Sequence, residues 1–94
     1  MTDTALPAWR ELVGETVVLD MGSPFVFLGR LVECSQHCLI LEDADAHDLR
    51  DTTTTREKYV LDSRLHGISA NRRKVFVRAG DIVGVSRIED VIVD

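Results

Sequence analysis

The chain has 94 residues, 45% of them hydrophobic, which allows one small core and leaves such a domain only modestly stable on its own. Its 16 acidic side chains outnumber 11 basic ones, giving a net charge of −5, and this excludes a strong general affinity for nucleic-acid phosphates while leaving room for a local basic patch. No early basic-then-apolar segment resembles a signal peptide and no apolar run approaches membrane-spanning length, so the expectation is a protein of the reducing cytoplasm, without a membrane partner, whose two cysteines are free thiols.

In chain order, Thr4 to Gly14 reads as a short helix. Pro7 suits a first helical position, Gly14 suits the residue past the end, and Leu6, Trp9, Leu12 and Val13 fall on one side. Glu15 to Asp20 is a first strand, Met21-Gly22-Ser23-Pro24 a turn, and Phe25 to Glu33 a second strand. Gly29 in its middle marks a strong bend where backbone approaches backbone. After a corner at Cys34 to His37, the chain returns as a third strand from Cys38 to Asp43.

The next segment, about residues 46–72, reads as an insert. Thr54-Thr55-Arg56-Glu57 has capping-box spacing, with the first threonine and the glutamate satisfying free amides reciprocally. Leu61, Leu65 and Ile68 follow at helical spacing and Gly67 terminates, which predicts a helix from about Thr55 to His66; Tyr59-Val60-Leu61 also fits a strand. Then come two apolar, β-branched strands, Val75-Phe76-Val77 and Ile82-Val83-Gly84-Val85, joined by a corner at Ala79-Gly80-Asp81 where Gly80 supplies backbone freedom. Glu89 to Asp94 is an acidic, apolar tail.

Together these elements predict a mainly β, single domain over residues 1–94. Five short antiparallel strands interrupted by a bend glycine curl towards a partly open barrel. Such a barrel leaves two unpaired edges, and identical neighbours fill them by strand addition. Val75, Phe76, Val77, Val83 and Val85 are the expected oligomer interface.

Phe27-Leu28-Gly29-Arg30-Leu31-Val32-Glu33, followed by Ser35-Gln36-His37-Cys38-Leu39-Ile40-Leu41-Glu42-Asp43, resembles the first motif of Sm and Sm-like proteins. Val77-Arg78-Ala79-Gly80-Asp81-Ile82-Val83 resembles their second motif. The likeness spans most of residues 6–88 apart from the insert, and is similar to a bacterial-type member with an insertion between the third and fourth strands. It implies the Sm-like fold: an N-terminal α-helix on a strongly bent five-stranded sheet. It also implies rings of about five to seven subunits, the fourth strand of one subunit pairing with the fifth of the next. Many members bind single-stranded, uridine- or adenine-rich RNA around the pore. The resemblance places Ser35, Gln36, His37, Arg78 and Gly80 at that site. The family's base-binding corner often carries an aspartate, an aromatic or histidine, and an asparagine, which match Ser35, His37 and Leu39 here. Leu39 lacks the asparagine's hydrogen bonds, Ser35 lacks the carboxylate, and Ala79 replaces the usual glycine.

Read from residue chemistry alone, His37 is either a base-stacking platform or a solvated loop residue. Arg78 either covers a base or bonds a neighbouring backbone or a carboxylate such as Asp81. Arg72-Arg73-Lys74 is a candidate phosphate patch, expected near His37 and Arg78, although short charge runs are usually solvated. The charge is uneven, three arginines against nine acids in residues 1–50 (−6) and eight bases against seven acids in 51–94 (+1). Cys34, His37 and Cys38 are zinc-type ligands with unusual spacing, and the cysteines also suit small buried positions. Asp43, Asp45 and His47 alternate, so on one strand face they offer a hard-cation or acid–base cluster, or simply a solvated rim. No nucleophile–base pairing or phosphate loop is evident, and neither a metal nor a cofactor is expected. The function classes are a ring binding single-stranded RNA, a ring scaffolding protein partners without RNA, and, least favoured, a metal-dependent enzyme.

Overall fold

Runs of valine, isoleucine and leucine pleat into five strands in the computed structural model, which describes residues 8–93. They are β1 (Thr16–Met21), β2 (Phe25–Cys34), β3 (Cys38–Asp48), β4 (Arg72–Arg78) and β5 (Ile82–Arg87). Every neighbouring pair is antiparallel and the sheet order is β4-β3-β2-β1-β5. The two strands joined by the corner at Ala79–Asp81 therefore leave it for opposite edges of one sheet.

Strand β3 runs on to Asp48 rather than ending at Asp43. Its extension pairs Asp45, Ala46, His47 and Asp48 with Leu28, Phe27, Val26 and Phe25. At the bend, Leu28 opposes Asp45 and Arg30 opposes Glu42, so Asp43 and Ala44 bulge opposite the single residue Gly29. Asp43 takes a left-handed φ of 50°, which aspartate tolerates better than most residues. A Cβ added at Gly29 would lie 2.9 Å from the Ala44 Cα and Cβ and 3.2 Å from the Glu42 carbonyl oxygen. The expected close approach of backbone to backbone is thus present, and it permits the sheet to bend. Across the bulge Arg30 spans the distortion, donating to Glu42 and to Asp43 at 2.9 Å each.

The bent sheet buries side chains on both faces. On the inner face Val17, Leu19, Met21, Leu31, Leu39, Leu41 and Val77 form the larger cluster, closed by Trp9 and Leu12. Those two residues come from Ala8–Leu12, a 3-10 helix where an α-helix is expected; Thr4, Leu6 and Pro7 lie outside the described residues. On the outer face Val18, Val26 and Leu28 pack under Val60. Val60 belongs to α1 (Arg56–His66), the inserted helix.

Helix α1 begins one residue later than the capping-box spacing suggests. The Thr55 hydroxyl, not that of Thr54, accepts from the Lys58 N–H at 3.1 Å. Gly67, with φ 94°, ends the helix and donates to the Ser63 carbonyl. Of the expected Leu61, Leu65, Ile68 stripe, Ile68 packs against the outer cluster, whereas Leu65 is half exposed and Val60, with Tyr59 beside it, is the buried helical side chain. The helix is held to β3 by polar contacts. Buried Asp45 accepts from the Tyr59 hydroxyl and from the Asn71 amide at 3.3 Å, and the His47 ring stacks on Tyr59 with centroids 3.9 Å apart. Asn71 also bonds the Ala46 backbone in both directions, at 2.9 and 3.1 Å.

Two measurements test this frame. Gly29→Ala forces a carbon against β3 backbone and lowers the unfolding free energy by about 1–3 kcal/mol, read as a shifted urea midpoint; an unchanged midpoint contradicts the close approach. Burial, then the hydrogen bond and charge of Asp45, raise the Tyr59 pKa. A raised folded-state value means that this stabilisation is complete below the ordinary phenol pKa of about 10 and drains away as pH climbs past it. Tyr59 is the single tyrosine of the chain, so absorbance titration reads it alone, and ionisation at the ordinary value in the folded state contradicts the contact.

Candidate nucleic-acid interface

The end of the sheet where β2 turns into β3 is built by a serine. Ser35 donates its N–H to the Cys38 carbonyl at 2.8 Å, while its hydroxyl accepts from the His37 and Cys38 N–H groups at 3.2 Å each. Cys34 and Leu39 close the pair below the turn. Short hydroxyl side chains stabilise such turns by mimicking a backbone acceptor. The Ser35 oxygen is therefore committed to its own loop. Gln36 and His37 stand exposed at the tip.

The β4–β5 corner sits directly beside this turn. Cys38 is paired with Arg78, and the Ala79 N–H donates to the His37 carbonyl at 2.8 Å. That bond fixes the corner to the tip. Ser35, Gln36, His37, Arg78 and Gly80, scattered over two sequence motifs, are thereby gathered at one end of the sheet, and all five are exposed. Arg78 makes no ion pair among the described residues, with Asp81 or with any other acid. An exposed imidazole next to an unpaired guanidinium offers two planar groups for stacking and one charge for phosphate.

Two expectations change, and Leu39, to which no base contact is assigned, lies in the core. Gly80 is not required by the corner: Ala79–Asp81 is a 3-10 turn, Gly80 does not have a left-handed φ, and an added Cβ would meet nothing within 4 Å. The basic run does not adjoin His37. Arg72 pairs with Ala44 while Arg78 pairs with Cys38, so the length of β4, roughly 20 Å at about 3.3 Å per residue, separates Arg72 from the site. Leu39 is 0% exposed and belongs to the inner core, so it cannot face a ligand.

The expected interface residues also divide. Val77 is buried in the inner core, and Val75 and Val85 pack half-buried against it. Phe76 and Val83 are the exposed ones, at 66% and 74%. Both face a cleft of about 750 Å³ that also touches Arg78, Gly80 and the stacked pair Phe25 and Phe27, whose ring centroids lie 5.9 Å apart. Met21, Phe25 and Phe27 were not singled out from sequence; the alternation of Phe25 and Phe27 on one strand face was the available signal.

The other clusters dissolve. Among the described residues no three His, Cys, Asp or Glu side chains are grouped to hold a metal ion. Asp43, within the bulge, is exposed and paired with Arg30, whereas Asp45, just past it, is buried against Tyr59, so the two carboxylates form no cluster. Cys34 and Cys38 are free, and burial pushes the Cys34 thiol up, away from the reactive thiolate. No helix among the described residues is long and apolar enough to cross a membrane.

With this geometry in place, comparison with solved structures is decisive for the architecture. The chain superposes on the Pyrococcus abyssii Sm protein, in complex with a uridine heptamer, at TM-score 0.57 and 18% identity over 83% of this chain and 89% of that one. The P. aerophilum SmAP1 heptamer matches at TM-score 0.55 and 20% identity over 83% and 84%. A heptameric archaeal Sm protein matches at TM-score 0.55 and 20% identity over 83% and 91%. This chain has the Sm fold. No family model and no curated protein sequence matches it. The likeness to solved structures at this identity speaks to architecture alone. Within the Sm fold of this chain, α1 is inserted between β3 and β4 and covers the outer face, and β4 and β5 are the two free edges.

Proposed function

We propose that this chain is a member of the Sm-like family, a single unit over residues 1–94, that assembles into a homo-oligomeric ring of about five to seven subunits and holds single-stranded RNA at one end of the pore. His37 stacks on a base, Arg78 covers it or takes a phosphate, and Gln36 and the Gly80 backbone flank the strand. The observation that carries this reading is the Ala79 to His37 backbone bond, which sets the tip of one motif against the arginine of the other. It is supported by the uridine heptamer in the P. abyssii Sm protein and by the heptameric state of the other two neighbours. Ser35 acts by shaping the turn. With its hydroxyl engaged and Leu39 in the core, hydrogen-bond reading of base edges is weak, and base preference is correspondingly slight.

The role is binding rather than catalysis, in the reducing cytoplasm that suits two free cysteines. A second reading is a ring that scaffolds protein partners without RNA. It is favoured by the same loss of base-edge chemistry and by the acidic balance of the chain.

Labelled oligouridine and oligoadenine, titrated at about 50 mM and about 200 mM salt, separate the two. Binding at low salt that falls by about tenfold or more in the His37→Ala, Arg78→Ala double variant is the expected result. Absence of binding at low salt, or binding indifferent to both substitutions, removes the RNA reading and leaves the scaffold. Size-exclusion chromatography with light scattering measures the assembly; a stable monomer at micromolar concentration contradicts both ring readings.

A further inference from the structure

We propose that pairing between copies of this chain is keyed by charge: the basic start of β4 on one copy docks antiparallel against the acidic exit of β5 on the next. The inference deepens the ring reading above and rests on it.

Among the described residues both strands present an unpaired outer edge, β4 bonded only to β3 and β5 only to β1. Exposed edges invite pairing with any strand, so side-chain charge decides which pairings are admitted. On β4, Arg72, Arg73, Lys74 and Arg78 are all exposed. Among the described residues only Lys74 has an acidic partner, Glu42 at 3.7 Å. Around β5 the acids sit at its ends: Asp81 immediately before Ile82, and Glu89 and Asp90 in the short turn that follows Arg87. Of these only Glu89 has a cationic partner, Arg87 at the limiting distance of 4.0 Å.

These positions discriminate between pairings. Antiparallel docking of β4 on β5 brings the end of β4 that holds Arg72 and Arg73 to the end of β5 where Glu89 and Asp90 follow Arg87, and brings Arg78 to the end that holds Asp81. Parallel docking sets the three cations Arg72, Arg73 and Lys74 against the single acid Asp81, and leaves Arg78 alone with Glu89 and Asp90 beside a second arginine, Arg87. A two-fold pairing of β4 with itself sets the Arg72 to Lys74 run against Arg78, cation upon cation, which costs stability. The charges therefore favour one head-to-tail contact, and a head-to-tail contact repeats around a ring. Between the charged ends, exposed Phe76 and Val83 supply the apolar contact. The basic run that lies too far from His37 to serve the RNA site finds its role here.

The test is charge exchange read by light scattering. The wild-type chain assembles at low salt and weakens as salt rises, since rim charges are screened. Arg72→Glu with Arg73→Glu, or Glu89→Arg with Asp90→Arg, each weakens assembly by about tenfold or more. Carrying all four substitutions in one chain restores assembly, as does mixing the two charge-reversed proteins, an outcome that also shows both are folded. Assembly of either charge-reversed protein at wild-type strength, or failure of both the four-fold variant and the mixture to recover, overturns the charge key while leaving the ring reading in place. A wild-type chain that is monomeric at low salt overturns the ring reading and this inference with it.

Discussion

The approach of β2 to β3 at Gly29 and Ala44 is the constraint on which the remaining geometry depends. Two residues of β3 oppose one residue of β2 there, and the absent side chain of Gly29 is what lets the backbones meet. A flat sheet of this length would bury one face and expose the other. The bend instead wraps the inner face around Leu19, Leu31, Leu39 and Leu41 and leaves the outer face for the inserted helix. Within the described residues β4 and β5 do not pair with each other, so the sheet ends in two edges.

Downstream of the bend, the two ends of β4 differ in what surrounds them. At its finish, the strand is locked to the β2–β3 tip by Ala79 and His37 and presents Arg78. At its start, Arg72 and Arg73 stand beside the junction with the insert, where Asn71 clamps the β3 backbone. The two ends of the strand thus carry separate exposed cations, with buried Val77 and half-buried Val75 tying both to the core.

Much of this was legible in the sequence because local signals agreed with the final packing. β-branched runs marked the strands, Gly29 announced the bend, and Thr55 and Gly67 bracket the helix expected between them. The parts that were not legible depend on which strand lies beside which. Lys74 and Arg78 are near neighbours in sequence, yet extended backbone carries Arg72 to the far end of the strand from His37. Asp43 and Asp45 alternate on paper, but Asp43 sits in the bulge and pairs with Arg30 in the open, while Asp45 lies buried beneath Tyr59 on the outer face. Gly80 looked like a conformational necessity, whereas a 3-10 corner accepts an ordinary residue. Tyr59 gains its importance from Asp45 and His47, contacts across the insert that no spacing rule encodes.

The exposed Phe76 and Val83, flanking an aromatic cleft between two strand edges, bear on how the chain behaves as a solitary molecule. A solitary molecule displays greasy rings alongside a free hydrogen-bonding template, the combination from which misassociated deposits grow. That hazard grows with concentration, because such deposits form by encounter, so whatever covers these edges also keeps the chain in solution.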